Sequence, residues 1–245
     1  MSETCIVLDV SGDFAHFRKP HTTSPAQTFG VPPRTTIAGM IAGMLGLGRD
    51  SYYDLFGRER SRVAVSLERP IRRLSLGINI LTTEGKSTKT GGAQPGKQIT
   101  GPRQQNVFEV LCEPAYRLYV SLNDEALMNR MAATFAAGKC TYTLTLGLSE
   151  HLACFEYHGR HEIEFDTGQA TVRSVVPGES IGLVPDPEAR YVTERSPAFM
   201  RAHEPGGRVA DGSQTLTYDR RGEPMELRET EYATIGGDTV VFSPR

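Results

Sequence analysis

The hydrophobic positions at the start of the chain predict a buried strand that leads into an irregular segment. Residues 4–10 form an apolar run that contains Ile, Val and Leu, which is typical of a strand inside a sheet. Residues 21–33 are rich in Thr, Ser and Pro. Because Pro cannot sit inside a helix and restricts the residue before it to extended backbone, we expect an irregular stretch there.

A helix is predicted directly after this segment. Thr35 and Thr36 can cap it, and its apolar positions continue to about Leu47. It contains two glycines, Gly39 and Gly43, at a spacing that places them on one face. We expect these small residues to let the helix pack closely against a sheet.

The alternation of strand and helix patterns continues to about residue 150. Residues 124–137 predict a second helix, because apolar side chains recur on one face, Asn123 can cap its start and Gly138 follows its end. Further strands are predicted at residues 62–67, 74–81, 107–111, 116–122 and 141–146. This order favours an α+β domain with a ferredoxin-like (RRM) sheet that carries its helices on one face.

From about residue 151 onward, short alternating runs are separated by Pro and Gly, which is typical of β-structure. We therefore predict a ferredoxin-like domain over residues 1–150 and a β-rich C-terminal subdomain over residues 151–245. Residues 82–105 interrupt the first domain with a Gly-, Thr- and Lys-rich stretch that has no hydrophobic periodicity. A stretch of this length predicts a long exposed loop or the tip of an extended hairpin.

Charge is distributed unevenly along the chain, although the net charge is only −2. Residues 58–103 contain ten basic and three acidic residues, whereas the rest of the chain contains 17 basic and 26 acidic residues. A basic stripe on an acidic body is typical of a groove that binds a polyanion. The alternative is a charged face that is merely solvated.

No membrane segment is expected. The longest apolar stretch, residues 37–47, has 11 residues, whereas a membrane-spanning helix needs roughly 20. The first residues lack the basic and apolar regions of a signal peptide. We expect a cytoplasmic protein.

Metal and cofactor sites are not predicted. The four cysteines, Cys5, Cys112, Cys140 and Cys154, are far apart and adjoin apolar runs, so we expect reduced core residues and not zinc ligands. Residues 91–98 have the Gly and Gly-Lys spacing of a phosphate-binding loop, but the Ser or Thr and the helix that should follow are missing.

Residues 12–20 are the best candidate for contact with single-stranded RNA. Two phenylalanines alternate there with His16, Arg18 and Lys19. Aromatic rings that stack on bases, beside cations that hold phosphates, are the usual means of binding single-stranded RNA. The alternative is a loop with two core phenylalanines and solvated charges.

Catalytic residues are not assigned. Metal-independent RNA cleavage needs a His, Lys or Tyr side chain that activates a 2′-hydroxyl. His16, Lys19, Tyr52 and Tyr53 have suitable chemistry, but their spacing does not show that they meet.

Three blocks of the sequence resemble one known family. The first comprises residues 12–20 and 29–46, where a Gly-Asp-Phe strand end leads through a Pro- and Thr-rich stretch to the first helix. The second comprises residues 103–111 and 114–120, and the third residues 138–153. In order and spacing these blocks resemble the fifth Cas-protein family of type I CRISPR systems, which belongs to the RAMP superfamily.

The resemblance implies a ferredoxin-like domain with a protruding thumb hairpin at about residues 82–105. It implies a non-catalytic RNA-binding subunit of a Cascade effector complex, most similar to type I-B, that caps the 5′ handle of the CRISPR RNA (crRNA) for antiviral DNA targeting. The implied partners are crRNA, the Cascade backbone subunit and large subunit, and target DNA indirectly. Because one branch of the family cleaves precursor RNA, the alternative is a metal-independent endoribonuclease that processes precursor crRNA.

The resemblance also suggests which residues contact the handle. It points to the first block, the start of the first helix, the thumb and the return strand of the thumb. The corresponding residues are His16, Arg18, Lys19, Arg34, Thr35, Thr36, Lys86, Lys89, Lys97, Arg103, Gln104 and Gln105. Thr35 and Thr36 would offer donors to a phosphate at a helix N-terminus.

Overall fold

The computed structural model of the protein describes residues 3–22, 24–81, 103–178, 182–203 and 207–243. Most of this part of the chain is β-sheet, accompanied by two α-helices, α1 (Arg34–Met44) and α2 (Glu125–Ala136). The strands are β1 (Thr4–Gly12), β2 (Phe14–Ala15), β3 (Phe17–Arg18), β4 (Thr28–Phe29), β5 (Ser61–Leu67), β6 (Arg72–Leu81), β7 (Arg103–Cys112), β8 (Ala115–Leu122), β9 (Ala153–Glu162), β10 (Glu164–Val172), β11 (Val176–Pro177), β12 (Tyr191–Ala202), β13 (Arg208–Asp219), β14 (Met225–Ile235) and β15 (Asp238–Val240). A 3₁₀-helix spans Arg58–Arg60.

The centre of the fold is a four-stranded antiparallel sheet in the order β5, β8, β1, β9. β1 pairs on both edges, with β8 from Ile6↔Val120 to Ser11↔Ala115 and with β9 from Thr4↔Glu162 to Gly12↔Ala153. In sequence, α1 lies between β1 and β5, and α2 lies between β8 and β9. The predicted first strand and both predicted helices are therefore confirmed, although α1 ends at Met44 and does not reach Leu47.

Both faces of this sheet are covered by apolar side chains. Alternate residues of a strand point to opposite faces, and Ile6 and Leu8 of β1 belong to the main core together with residues of α1 and α2. Cys5 and Val7 point the other way, into a smaller cluster with residues of β14 and β15. The C-terminal strands thus pack on the face that the helices leave open.

A side-chain cap fixes the start of α2, and a ring contact fixes the helix on the sheet. The side chain of Asp124 accepts a hydrogen bond from Leu127 N at 2.9 Å and caps the helix, so the predicted cap at Asn123 is wrong by one residue. Asn123 instead donates from Nδ2 to Glu59 O at 2.8 Å. The ring of Phe135 packs edge-on against Phe155 of β9, with centroids 5.7 Å apart, and fixes the helix on the sheet.

Among the described residues after β9, every regular element is a strand. β14 pairs with β10 and β15, while β13 pairs with β11 and with β12 in a long hairpin. β9 begins just after the predicted boundary near residue 150 but belongs to the central sheet. Since Val172, Leu216, Tyr218 and Leu227 join the main core, the C-terminal strands share their core with the first half of the chain.

Two expectations are wrong. Residues 141–146 do not form a strand, because Thr141 N and Tyr142 N donate to Met44 O and Gly43 O at the end of α1. Cys140 and Cys154 are exposed and are not core residues, whereas Cys5 is buried.

A close backbone contact holds residues 146–151 against the segment after β1. A Cβ on Gly147, where φ is +98°, would lie 1.9 Å from His16 O. We predict that Gly147→Ala lowers the free energy of unfolding by about 3 kcal/mol, because the backbone must shift and the conformation is strained. Urea denaturation measures this. Gly138→Ala is the matched control: its φ is +64° but a Cβ there meets nothing within 4 Å, so a loss of only about 1 kcal/mol is expected. If both variants lost the same free energy of unfolding, the close contact between Gly147 and His16 O would not be important for stability.

Candidate RNA-binding surface

The segment between β1 and α1 is anchored at several points by backbone pairing. β2 pairs with the end of β7, and β3 pairs with β4. Thr28 Oγ1 accepts a hydrogen bond from Phe17 N at 2.8 Å, and Ala26 N donates to Val107 O at 3.0 Å. The sequence predicted an irregular segment here, and its Pro-rich part is irregular, but the described residues are held in place on β7.

His16 lies inside this anchored segment and not on its surface. The side chain is only 2% exposed, and Nδ1 is 2.7 Å from Glu109 O. Its ring packs edge-on against Phe108 at 5.4 Å. The pKa of nearby His151 is lowered, first by burial and then by the charge of His16. The geometry favours a role for His16 in holding the segment on β7.

Lys19 is paired with a buried acid. Its Nζ lies 2.9 Å from Glu194 Oε1 of β12 and 5.5 Å from the ring centre of Phe29. Arg18, its neighbour, is exposed. Of the three residues predicted to bind RNA in this segment, Arg18 therefore presents the most accessible cation.

Glu194 joins the segment to the C-terminal hairpin and to the base of β6. Gly30 N and Tyr218 Oη donate to Oε2 at 2.9 and 2.7 Å, and Arg73 Nη2 approaches Oε1 at 3.4 Å. Burial alone would raise the pKa of Glu194, but the hydrogen bonds from Gly30, Lys19 and Tyr218 outweigh it and hold the pKa below its ordinary value. The carboxylate therefore stays charged at neutral pH, and its role is to hold these segments together.

Arg34, at the first position of α1, is also buried, with 3% of its surface exposed. Nη2 donates to Ser61 O at 2.9 Å and to Ser61 Oγ at 2.7 Å. The guanidinium and that of Arg58 each lie 4.6 Å from the ring centre of Phe199 on β12. Burial, and then the charge of Arg58, lowers the pKa of Arg34 to about 10. The contacts place Arg34 behind the surface, where it positions α1 against β12.

Thr35 and Thr36 are half-buried in the first turn of α1 and do not cap it; Pro33 occupies the cap position without a side-chain hydrogen bond. Both line an open cavity of about 380 Å³ beside α1, called here the α1 cavity. Its lining residues are Thr35, Thr36, Gly39, Met40, Gly43, Met44, Tyr52, Tyr53, Tyr142, Thr143, Leu144, Thr145, Gly147, Met200 and Arg208.

The glycines of α1 have a different place from the one predicted. Gly39 and Gly43 line the α1 cavity, and a Cβ on Gly43 would meet nothing within 4 Å. The expectation that they allow close packing against the sheet is therefore wrong. Helix packing instead uses the buried positions between them, such as Met40 and Ile41.

Sequence reasoning did not find the far walls of this cavity. Met200 and Arg208 come from parts of the chain that carried no motif, Tyr142 lay in the third block without a role of its own, and Tyr52 was a candidate only for cleavage chemistry. Within the described residues, no hydrogen bond, ion pair or ring contact joins His16 or Lys19 to Tyr52 or Tyr53. A composition rich in Thr and Tyr at 141–145 was the one available signal.

Three of the remaining predicted residues lie on one strand of a hairpin. β6 and β7 pair from Arg72↔Cys112 to Leu81↔Arg103, with Gln105 opposite Asn79 and exposed. Arg103 and Gln104 are the first two residues of β7. Lys86, Lys89 and Lys97 lie outside the described residues.

The basic stripe is partly neutralised where it meets the body of the fold. Arg62 Nε is 2.7 Å from Glu3 Oε1, and Arg73 Nη1 is 3.0 Å from Glu109 Oε1. Arg72 and Glu113 form a more exposed pair at 3.4 Å. Counting basic residues in the sequence therefore overestimates the charge that is available to a polyanion.

Comparison with known proteins identifies the family. A family model described as CRISPR-associated protein (Cas_Cas5) matches residues 5–221, which is most of the chain. The chain belongs to this family. Among curated proteins, no sequence matches significantly.

Solved structures share the fold of this Cas5 family member. A CRISPR protein from Archaeoglobus fulgidus is 14% identical, with 99% of this chain and 100% of that chain covered and a TM-score of 0.59. A chain of a CRISPR RNA-guided surveillance complex is also 14% identical, with 91% of both chains covered and a TM-score of 0.54. At this level of identity the likeness concerns the fold.

The described residues contain neither a membrane-spanning helix nor a metal-ligating cluster. Neither helix in this part of the Cas5 chain is long and apolar enough to cross a membrane. The described residues also contain no group of three or more His, Cys, Asp or Glu side chains that could hold a metal ion.

The Glu194 contacts make the stability of the protein depend on pH. Because the folded pKa of Glu194 lies below its ordinary value of 4.5, its stabilisation is complete above that pH and is lost as pH falls through the folded pKa. We predict that Glu194→Gln costs about 3 kcal/mol at neutral pH, since it leaves Lys19 and Arg73 without their buried partner.

The same variant should lose less stability than wild type as pH falls from about 5 through the folded pKa of Glu194. Denaturant unfolding at several pH values measures both effects. Glu164→Gln, at an exposed position of β10, is the control and should follow wild type. An unchanged pH dependence in Glu194→Gln would contradict the role of this carboxylate.

Proposed function

We propose that this chain is the RNA-binding subunit of a CRISPR effector complex of the Cascade type, and that it holds the 5′ handle of the crRNA. The observation that carries the proposal is the family match over residues 5–221. A chain with the same fold belongs to an RNA-guided surveillance complex, which supports the assignment to an effector assembly.

The architecture supports this proposal in two ways. We interpret the sheet β5-β8-β1-β9 with α1 and α2 as ferredoxin-like, since it runs strand, helix, two strands, helix, strand. We interpret the β6–β7 hairpin as the base of a thumb whose tip comprises the Gly-, Thr- and Lys-rich residues between the two strands. The β-rich C-terminal unit would then begin at β10, directly after the central sheet.

The geometry suggests a division of roles among the candidate residues. Arg18, Gln105 and the two threonines of α1 are accessible for contact with RNA. His16 and Arg34 are buried and would act by fixing the segment and α1 in place. Lys86, Lys89, Lys97, Arg103 and Gln104 remain proposed contacts of the thumb. The proposed partners are crRNA, the backbone subunit and the large subunit, with target DNA reached through the complex.

Cleavage of precursor crRNA is the second candidate function. The observation that favours it is the presence of Tyr52 and Tyr53 in the wall of the α1 cavity. Incubating the purified chain with labelled repeat RNA in the presence of a metal chelator tests it. Specific cutting that disappears in Tyr52→Phe or Tyr53→Phe would establish the enzyme, and intact RNA supports binding alone.

Charge neutralisation makes a quantitative prediction for the binding function. The logarithm of handle affinity should fall with the logarithm of salt concentration, with a slope of about −0.7 for each phosphate contacted in a single strand. Arg18→Glu should weaken binding and reduce the magnitude of the slope by about 0.7 or more. Fluorescence anisotropy with labelled crRNA handle measures both quantities.

The matched control is Arg173→Glu, which reverses an exposed charge in the C-terminal part and should leave affinity and slope close to wild type. The pair Lys86→Glu and Lys89→Glu tests the thumb in the same assay. Handle affinity that does not depend on salt, in wild type and in the Arg18→Glu, Lys86→Glu and Lys89→Glu variants alike, would refute RNA binding through these residues.

A further inference from the structure

The rim of the α1 cavity presents aromatic rings to solvent. Tyr142 exposes 63% of its surface, whereas most of a large aromatic side chain is usually buried in a folded protein. Tyr52 is half-buried in another wall, with its ring centre 4.9 Å from that of Tyr53. Exposed tyrosine rings at a cavity are the surfaces on which unstacked bases are held in single-stranded RNA complexes.

Gly43 leaves space in the cavity on the side that α1 forms. Gly43 lies inside α1, where alanine would be the more stable residue, and a Cβ at this position meets no atom within 4 Å. The fold therefore does not require glycine here for packing. At Gly39 and Gly43 this face of α1 has no side chain, so a ligand can approach the backbone at these two positions.

The cavity has a positive environment. None of the described residues that line it is acidic, and Arg208 reaches it from β13. Asp50 lies outside the lining, with Oδ1 3.8 Å from Arg208 Nη1, and offsets part of that charge. The first turn of α1 faces it with Thr35 and Thr36, at the positive end of the helix dipole.

A buried cation, Arg34, lies next to several residues that line the cavity. Arg34 lines a small recess together with Thr35, Tyr52, Tyr53 and Met200, all of which also line the α1 cavity. Its Nε and Nη1 atoms have no hydrogen-bond partner among the described residues. Its hydrogen bonds go to the neutral acceptors of Phe56 and Ser61, so its charge is not cancelled by an acid there and adds to the positive potential of the cavity.

From these observations we propose that the α1 cavity holds one unstacked nucleotide of the bound RNA. Its base lies against Tyr142 and Tyr52, and its phosphate lies toward Arg208 and the start of α1. A volume of about 380 Å³ falls at the lower end of the range for small-ligand pockets, which suits a single nucleotide and excludes a duplex. This inference rests on the proposed function, because it presupposes that the chain binds RNA.

The inference assigns part of RNA binding to the C-terminal hairpin. Met200 of β12 and Arg208 of β13 form one wall of the cavity. The same hairpin carries Phe199, which packs between Arg34 and Arg58. Recognition of the nucleotide would thus depend on residues from both halves of the chain.

The first test fills the cavity from its floor. Gly43→Ala should raise the melting temperature by about 2–4 °C, because alanine favours the helix and nothing obstructs its Cβ. Gly43→Leu should lower handle affinity about tenfold while the protein stays folded, because its side chain occupies the space of the base. Differential scanning fluorimetry and anisotropy with labelled crRNA handle measure the two effects on the same samples.

The second test locates the nucleotide. Each nucleotide of the handle is replaced in turn by an abasic one, and binding is measured with wild type and with Tyr142→Ala. At one position the abasic RNA should bind wild type about tenfold more weakly, as expected for loss of one base stack, and should bind Tyr142→Ala with no further loss. Phe165→Ala, which truncates an exposed aromatic residue of β10 outside the cavity, is the control and should behave as wild type at every position.

The outcomes separate this inference from the proposed function. If Arg18→Glu weakens handle binding but Gly43→Leu and Tyr142→Ala do not, RNA binding stands and the nucleotide pocket is refuted. If the cavity variants reduce recovery of the other effector subunits and leave RNA affinity unchanged, the cavity binds protein and the inference is wrong. If wild type binds the handle no better than unrelated RNA, both proposals fail.

Discussion

The buried carboxylate of Glu194 holds together the three parts of the molecule that meet at the candidate surface. It receives hydrogen bonds from Gly30 before α1, from Tyr218 on β13 and from the cations Lys19 and Arg73. A charged group is expensive to bury unless nearly every lone pair has a donor. Because all of these segments contact the same carboxylate, the position of each one constrains the others. The shape of the candidate surface therefore depends on Glu194.

The covering of the central sheet determines where a nucleic acid can lie. In a four-stranded sheet with helices on one side, the opposite face would ordinarily be free to stack bases. Here Cys5, Val7 and Tyr119 on that face are buried against Ala233 and Ile235 of β14. The surfaces proposed here for RNA contact, namely the segment after β1, the β6–β7 hairpin and the α1 cavity, all lie outside the covered face.

Regular elements were predictable because their signal is local. β1 and α2 each have an apolar pattern and bounding residues within the element itself, so the sequence located them within one or two residues. The Thr- and Tyr-rich residues 141–146 have the composition of a strand, but their N–H groups bond to the end of α1. That partner is distant in sequence, and no local pattern could show it.

The same limit applies to the candidate site. The sequence singled out Arg34 for its charge, but its burial depends on Ser61 and Phe199, which lie far along the chain. His16 is covered by Phe108 and Glu109 for the same reason. Accessible Arg18 was found because exposure is the ordinary state of an arginine in a loop. The family resemblance rested on short local blocks, which is why it could be recognised before any of these contacts.

The bond between Gly30 and Glu194 has a consequence for biosynthesis. The two residues are separated by 164 positions, a stretch whose translation takes roughly 10–30 s at the usual rate of synthesis. During this interval Lys19 and Gly30 have emerged from the ribosome but their buried anchor has not. The candidate surface is therefore completed only when the C-terminal hairpin is made, so that a truncated or nascent chain would present the first segment without its final shape.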